Sequence, residues 1–367
     1  MSDGSRTLSL LRRVCATPAP TFAEDARAAL VEAELTAAGL TPWQDEVGNV
    51  LAEVPGDGGP RVALVAHLDT VFGAEVDVRV REGDDGLWRA PGIGDNSASV
   101  ALLLALAHDV ARGGLQARPR LLLAFTRGEE GLGDLRGARH LVATRGHDID
   151  RFLAIDGHLG SIVDAGVGSH RLRARFAGPG GHAWGDYPSA SAVHALGDAV
   201  HALTRVPVPE APRSSLNVAQ VGGGSAINAI AEEAWLMLDL RSLTAGTLAG
   251  LRSEVEKRLR SVARRHGVAL ELSTLGERPA GRSDDGTLTA LVGDALRAAG
   301  VAVRVGASST DANAAMAAGI PALCFGLYRG GDAHRLGEWL DPASLATGEA
   351  VLAGVLARLA EPAVEPG

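Results

Sequence analysis

Cysteine and long apolar runs are scarce in this 367-residue sequence. The two cysteines, Cys15 and Cys324, lie far apart, which excludes a disulfide framework and indicates buried thiols in a reducing compartment. No apolar run approaches the roughly 18 residues of a transmembrane helix. Residues 1–13 lack the apolar region of a signal peptide. We therefore expect a cytoplasmic protein.

Basic residues are fewer than acidic ones. There are 35 basic and 44 acidic residues, which gives a formal net charge of −9. A nucleic-acid surface would need a basic stripe and a polybasic anchor would need a basic cluster, so we expect neither nucleic acid nor a membrane as partner. Lysine occurs once, at Lys257, and not in a P-loop. The glycine cluster Val221-Gly222-Gly223-Gly224 does not form a dinucleotide fingerprint either.

What the sequence does contain is material for a sizeable core. Hydrophobic residues make up 46% of the chain and charged residues 22%, which is typical of a globular protein. The length predicts two domains at roughly 100–200 residues per domain. Apolar strands alternate with helices, which favours an α/β fold with a mostly parallel sheet flanked by helices. The predicted strands are 62–66, 121–125, 152–155, 301–305 and 322–325, and the predicted helices are 21–38, 96–111, 288–299 and 343–359.

The pattern changes near Gly166. Between there and Gly276 the sequence predicts strands at 170–177, 215–221, 233–241 and 268–273, with helices at 190–204 and 245–266. This β-α-β-β-α-β order is the ferredoxin-like plan. We therefore expect a discontinuous domain, 1–165 and 276–367, that is interrupted by an inserted α+β domain at 166–275.

Histidines and carboxylates recur where the predicted strands end or helices begin. Each has an ordinary structural interpretation: Asp95 as a helix N-cap, Asp156 as a turn residue, and the other segments as loops with solvated charge. Ligands of open α/β sheets nevertheless gather at the carboxyl ends of strands. Together these side chains form an N/O set that suits zinc, with cobalt or manganese as substitutes. The segments are His67-Leu68-Asp69, Asp95, Glu129-Glu130, Asp156 and His334, with His158 as a competing ligand.

Several segments resemble the metallopeptidase family that includes glutamate carboxypeptidase, acetylornithine deacetylase and peptidase T. The resemblance covers nearly the whole chain. The matching segments are AHLDTV (66–71), GIGDNSASVA (92–101), RGEEGLGDLRGAR (127–139), AIDG (154–157), GPGGHAW (178–184), SAINAI (225–230), SSTDANAAMAAGIPA (308–322) and AH (333–334).

The resemblance implies a site for two divalent metal ions. It assigns the general base to Glu129 and the orientation of the first histidine ligand to Asp69. It implies a cis peptide after Asp95. It assigns the metal ligands as a set: His67, Asp95 as the bridging carboxylate, Glu130, Asp156 and His334.

The resemblance also assigns roles to the inserted domain. In the family this domain forms a lid and commonly a dimer interface, so a homodimer is expected. His182 matches a histidine that stabilises the oxyanion, although it could be an ordinary loop histidine. Asn228 and Arg241 resemble substrate contacts, or could be structural. Thr310 and Asp311 are further candidates for lining the substrate pocket.

The function implied is amide hydrolysis by a water that two metals activate, with Glu129 as base. Asp156-Gly157-His158 resembles peptidase T more than the Glu-Pro-Thr of the deacetylase and carboxypeptidase types, which favours an aminopeptidase acting on short peptides. An N-acyl-amino-acid deacylase or carboxypeptidase is the alternative. A metal-free binding module is a further alternative, which the complete set of ligand-competent residues disfavours.

Overall fold

A computed structural model describes residues 3–56, 59–113, 119–283 and 286–360 of the chain. Most of its helices lie at or near the predicted positions. The helices are α1 (Asp3–Cys15), α2 (Asp25–Ala37), α3 (Ser99–Ala111), α4 (Arg136–Arg145), α5 (Ala192–Leu203), α6 (Ala245–His266), α7 (Thr287–Ala298), α8 (Ala312–Ala317) and α9 (Ser344–Ala360).

The strands are more numerous than the sequence predicts. They are β1 (Trp43–Gln44), β2 (Val50–Val54), β3 (Arg61–His67), β4 (Arg81–Glu82), β5 (Trp88–Arg89), β6 (Arg120–Thr126), β7 (Arg151–Leu159), β8 (Ser161–Gly166), β9 (Gly168–Ala177), β10 (Gly181–His182), β11 (Ser214–Gly223), β12 (Ala229–Ile230), β13 (Glu233–Ser242), β14 (Ala269–Arg278), β15 (Gly281–Arg282), β16 (Arg304–Ser308), β17 (Ala322–Gly326), β18 (Arg329–Gly331) and β19 (Trp339–Asp341).

The chain divides into two compact units. The larger unit comprises Met1–Gly166 and Arg282–Gly367, and the inserted unit comprises Val167–Gly281. The second boundary lies later than the expected one at 275/276, because β14 continues to Arg278 instead of ending near Ser273.

The larger unit contains a nine-stranded sheet with the order β1-β2-β6-β3-β7-β17-β8-β15, and β16 pairs with β8. The central strands β6, β3, β7 and β17 run parallel to one another. Antiparallel pairings occur toward the edges, at β1–β2, β2–β6 and β17–β8. The predicted α/β class with a mostly parallel sheet is confirmed.

Both faces of the central strands are buried, which explains their continuous apolar sequences. Along β3, Val62, Leu64 and Ala66 belong to one core cluster, which includes residues of α1, α2, α3 and α9. The alternate residues Ala63 and Val65 belong to a second cluster, with residues of α4 and α8. The two-residue period of a strand therefore sends neighbouring side chains to opposite helical layers.

The inserted unit contains a four-stranded antiparallel sheet with the order β11-β13-β9-β14. The alternate residues Leu172, Ala174 and Phe176 of β9 are buried. They pack in one cluster with apolar residues of α5 and α6. The strands and helices follow the β-α-β-β-α-β order along the chain.

The T-x-x-E spacing of Thr21 and Glu24 in the sequence predicts a capping box at the start of the helix, and this prediction is wrong. Helix α2 begins at Asp25, and no side chain caps its N-terminus. The Thr21 hydroxyl donates instead to Asp69 at 2.9 Å, and Glu24 accepts backbone N–H groups from Phe22 and Gly128. Both side chains therefore bind segments that are distant in sequence, at Asp69 and Gly128, instead of capping the helix.

Other differences lie at element ends. Asp156 does not end its strand, because β7 continues to Leu159. Helix α3 begins at Ser99 after a π-type turn over Ile93–Ala98, so Asp95 is not its N-cap. Helices α1, α4 and α8 were not predicted, and β16 begins and ends three residues later than the predicted strand at 301–305.

Within the described residues, no helix is both long and apolar enough to cross a membrane.

A buried arginine ties α2 to the loop after β3. The Arg27 side chain is 1% exposed, and burial lowers its pKa to about 10. Its guanidinium donates to the carbonyl oxygen of Thr17, at 2.8 and 3.0 Å, and to that of Leu68 at 2.8 Å. The loop that follows β3 is thereby fixed to the N-terminal segment.

We expect Arg27→Met to lower the free energy of unfolding by about 2–3 kcal/mol, because two buried carbonyl groups lose a charged donor. Urea denaturation measures the change. Arg175→Met is the matched control: Arg175 pairs with Glu233 on the exposed surface of the inserted unit, so this variant should unfold like the wild type. Equal losses in the two variants would contradict a special role for Arg27.

Candidate metal centre

Three adjacent parallel strands bring candidate side chains to one edge of the sheet. His67 is the last residue of β3, Glu129 and Glu130 follow β6, and Asp156 lies in β7. Because β6, β3 and β7 are neighbours and parallel, their carboxyl ends share that edge. Asp95 reaches the same place from the turn before α3, as its contact with His67 shows.

The Asp95 carboxylate lies between two histidines. Its Oδ1 is 3.1 Å from Nε2 of His67, and its Oδ2 is 3.1 Å from Nε2 of His334. His334 Nε2 is also 2.9 Å from Oε1 of Glu130. Ligand atoms of His67, Asp95 and Glu130 all lie within 4.8 Å of one another. One carboxylate that faces two separate histidines has the arrangement that a bridging ligand needs.

The His67 ring is oriented by the backbone. Its Nδ1 lies 3.0 Å from the carbonyl oxygen of Asp69 and 3.5 Å from that residue's carboxylate Oδ1. A carbonyl oxygen only accepts, so Nδ1 carries a proton, and Nε2 is the ring nitrogen that faces Asp95. The resemblance assigned this orientation to the Asp69 carboxylate, but the main-chain oxygen of Asp69 makes the shorter contact.

The Asp69 carboxylate holds the loop after β6. It accepts the backbone N–H of Glu129 at 3.0 Å and of Glu130 at 2.9 Å, and it accepts the Thr21 hydroxyl. Asp69 is fully buried. Burial alone would raise its pKa, but contact with His67 and these N–H groups outweighs burial and lowers the pKa. A fixed anion therefore positions both glutamates.

Negative charge is concentrated at this edge without enough positive charge from the protein. Burial and the nearby Asp95 charge raise the pKa of Asp156 to about 8. Hydrogen bonds to Asp95 and Glu130 raise the pKa of His334 to about 11. Nε2 of His67 and Oδ1 of Asp95 are buried and, despite their proximity, lack a well-aligned hydrogen bond. Such atoms are suited to coordinate a cation.

The residues therefore fit a pair of divalent cations. Imidazole nitrogens and carboxylate oxygens are ligands that zinc, cobalt and manganese accept. The cations would lower the raised pKa of Asp156 and would coordinate the two atoms that lack an aligned hydrogen bond, Nε2 of His67 and Oδ1 of Asp95. In the predicted arrangement, His67 and Asp156 would hold one ion, Glu130 and His334 the other, and Asp95 both.

Glu129 stands beside this group but outside the cluster of mutually close ligand atoms. It is 5% exposed, and its negative charge acts on His67. Its main chain is fixed by Asp69. Glu129 is therefore buried next to the predicted ligand His67, and its role as general base stays a prediction.

The sequence did not single out Glu338. This side chain is 2% exposed and accepts three backbone N–H groups, from Gly92 at 2.7 Å, Gly94 at 2.8 Å and Asp95 at 2.9 Å. Burial raises its pKa to about 7. The Glu338 carboxylate thus cradles the loop that carries Asp95. The one available signal was a charged residue directly before the two apolar residues that begin the short strand β19.

The cis peptide expected after Asp95 is confirmed: the Asp95–Asn96 bond is cis. The Asn96 side chain donates to the carbonyl oxygen of Ile155 in β7 at 3.0 Å. This contact ties the turn that carries Asp95 to the strand that carries Asp156.

Thr310 and Asp311 are buried in the larger unit. The hydroxyl of Thr126, at the end of β6, donates to Asp311 at 2.6 Å. Asp311 thus supports the strand that leads to Glu129. A contact of either residue with substrate stays a prediction.

Three predicted residues lie in the inserted unit. His182 is exposed, and its Nδ1 accepts the backbone N–H groups of Trp184 and Gly185. The Asn228 carbonyl oxygen accepts from the backbone of Ala183, so Asn228 lies beside His182. Arg241 pairs with Asp239 within the same unit. Their contacts with substrate stay predictions.

Solved structures of peptidases share this fold. The chain resembles aminopeptidase PepT from Bacillus cereus, with a TM-score of 0.82 and 19% identity over 98% of this chain and 99% of the other. It resembles a tripeptidase from Staphylococcus aureus, with a TM-score of 0.84 and 20% identity over 97% and 98%. A dinuclear metal-binding peptidase of the M20 family from Bacillus subtilis has a TM-score of 0.70 and 17% identity over 97% and 98%.

A curated relative matches a shorter stretch. A protein from Pyrobaculum aerophilum, named as a LysW-lysine/LysW-ornithine hydrolase, is 39% identical over 88 residues. That region is 24% of this chain and 23% of the relative's length.

The family match is broader and agrees with the resemblance inferred from the motifs. The sequence model of Peptidase family M20/M25/M40 matches residues 63–358, which include all the candidate ligands. The chain therefore belongs to Peptidase family M20/M25/M40.

Proposed function

We propose that this protein is a two-metal amide hydrolase, and specifically an exopeptidase of the aminopeptidase type that cleaves short peptides. The observation that carries the proposal is the Asp95 carboxylate, which faces His67 with one oxygen and His334 with the other. Membership of the peptidase family supports the same reaction class. Zinc is the proposed metal, because its usual ligands match this mixed N/O set.

When bound, the two cations supply Lewis-acid polarisation of the scissile carbonyl and lower the pKa of water. Glu129 is the proposed general base: it accepts the proton of the attacking water and delivers it to the leaving nitrogen. Its burial keeps the carboxylate out of bulk water, and the N–H of its own backbone is held by Asp69. The proton transfer therefore occurs from a fixed position.

Two buried carboxylates maintain this geometry. Asp69 fixes the backbone of Glu129 and Glu130, and Glu338 fixes the loop that carries Asp95. Neither belongs to the proposed ligand set. Their role is to hold the base and the bridging ligand before a metal or substrate arrives.

The similarity to an aminopeptidase and a tripeptidase supports peptides as substrates. The similarity to a LysW-lysine hydrolase favours the alternative, which is a deacylase or carboxypeptidase acting on an acylated amino acid. Both reactions break an amide bond by the same chemistry. They differ in what the pocket accepts at the amino side of that bond.

The inserted unit is proposed as a lid and as the interface of a homodimer. His182 is the proposed oxyanion donor: its Nδ1 accepts two backbone N–H groups, which leaves the proton on Nε2. Asn228 and Arg241 are proposed substrate contacts. Small-molecule substrates and a cytoplasmic location complete the proposal, with no nucleic-acid or membrane partner.

Glu129→Gln should lower kcat by at least 100-fold, because an amide cannot accept the proton. Its metal content, measured by mass spectrometry after dialysis, should equal that of the wild type. Glu46→Gln is the matched control, since Glu46 is an exposed surface glutamate paired with His140. Near-normal turnover by the Glu129→Gln variant would remove Glu129 from the role of base.

Glu338→Gln should weaken metal binding by roughly 10–100-fold. The NH₂ group of the glutamine would face at least one of the three backbone N–H groups that Glu338 accepts, and the loop that carries Asp95 would lose that hydrogen bond. Competition with a chelator measures the affinity, and circular dichroism of the metal-free protein checks the fold. Glu271→Gln, at an exposed position of the inserted unit, is the control. A folded Glu338→Gln variant with unchanged affinity would show that Glu338 does not position Asp95.

A substrate panel separates the two reaction types. The metal-loaded protein should hydrolyse tripeptides with a free amino terminus faster than N-acetyl amino acids or acyl-glutamates. A chelator should abolish the activity, and added metal should restore it. Turnover of the N-blocked substrates alone would establish the deacylase alternative, and chelator-resistant turnover would contradict the metal mechanism.

A further inference from the structure

Several exposed apolar side chains are close in sequence to residues of the predicted metal centre. The described part of the larger unit exposes five large hydrophobic residues: Phe22, Val71, Leu132, Val305 and Leu336. Scattered single residues of this kind are ordinary, whereas a group around one site marks a surface for interaction. All but Val305 lie next to a segment that contributes to the site.

Chain connectivity keeps three of them close to it. Val71 stands two residues after Asp69, Leu132 two after Glu130, and Leu336 two after His334. Two residues of chain span at most about 7 Å, so the Cα atom of each of these residues lies within that distance of the Cα atom of a residue of the centre.

Phe22 is joined to the site by hydrogen bonds. Its backbone N–H donates to Oε1 of Glu24 at 3.0 Å, and the same oxygen accepts the N–H of Gly128 at 3.2 Å. Gly128 directly precedes Glu129. The residue before Phe22, Thr21, donates to Asp69. Phe22 is therefore fixed beside the loop that carries the proposed base.

Phe22 occupies this position at a conformational cost. Its φ is 74°, in the left-handed region that glycine adopts freely and a bulky side chain avoids. Its side chain is not buried, because the residue is 59% exposed. Neither a strained backbone nor an exposed aromatic ring stabilises the fold. We therefore infer that the Phe22 ring contacts a ligand.

The charges near this surface indicate which ligand. Arg127, which precedes Gly128, pairs with Asp25, and Arg335, beside Leu336, pairs with Asp332. Three further arginines line a pocket together with Leu336, and they pair with Asp77 or Asp85: Arg79, Arg81 and Arg89. All these guanidinium groups already have carboxylate partners. The surroundings thus favour an apolar group over an acidic one.

We propose that Phe22, Val71, Leu132 and Leu336 form an apolar rim that selects substrates with an apolar side chain next to the scissile bond. Phe22 is the principal specificity-determining residue of this rim. The proposal rests on the amide-hydrolase function above and narrows its substrate class: leucine-like residues are preferred over alanine and over glutamate.

The test compares Leu-Gly-Gly, Ala-Gly-Gly and Glu-Gly-Gly as substrates of the metal-loaded full chain. The wild type should prefer the leucine peptide by about tenfold in kcat/KM. Phe22→Gly should remove most of that preference through KM, leave the alanine peptide nearly unchanged, and unfold at the same or a higher temperature because the strain is relieved. Phe22→Ala should lose the preference while keeping the strain. Val305→Ala, at an exposed position of β16, should change neither property.

Binding to the Glu129→Gln variant separates this inference from the reaction itself. Calorimetry should show tighter binding of the leucine peptide than of the alanine peptide, and adding Phe22→Gly should abolish the difference. Selective binding without hydrolysis by the wild type would retain the rim and overturn the proposed reaction. Hydrolysis with an unchanged leucine preference in Phe22→Gly, a preference for glutamate, or binding with no preference would overturn the rim.

Discussion

The structure depends on a concentration of buried and half-buried carboxylates at the edge where parallel strands end. The two carboxylate oxygens of Asp95 face two different histidines. Burial and the negative charge of Asp95 raise the pKa of the nearby Asp156 to about 8. Like charges in a buried site cost free energy unless a cation or a proton balances them. The fold maintains this arrangement through contacts that do not themselves bind metal.

Those contacts come from three segments of the chain. The Asp69 carboxylate holds the glutamate loop, Glu338 holds the Asp95 loop, and Arg27 holds the loop after β3. Each is a buried charged group that makes hydrogen bonds to several backbone groups. Such charge-assisted hydrogen bonds are stronger in a buried site than in water, and they fix the geometry of the groups they join. The site is therefore preorganised by main-chain hydrogen bonds as much as by its ligands.

The sequence predicted the central strands and the candidate ligand positions because these signals are local, whereas the role of each ligand was implied by the family resemblance. A continuous apolar run such as Val62–Ala66 identifies a buried strand, and a histidine directly after it lies at the edge where ligands gather. Glu338 could not be identified in this way, because its three partners lie more than 240 positions away. Thr21 and Glu24 matched a helix cap by spacing, yet their partners lie across the larger unit. Local pattern does not encode which distant backbone groups need an acceptor.

The proposed reaction depends on a bridge between two metal ions that Asp95 would provide. Anomalous diffraction from crystals of the full chain grown with zinc tests it most directly. The expected result is two anomalous peaks per chain, one between His67 and Asp95 and the other between Asp95 and His334, with Glu129 bound to neither. A single fully occupied peak, or two peaks that do not share Asp95, would contradict it.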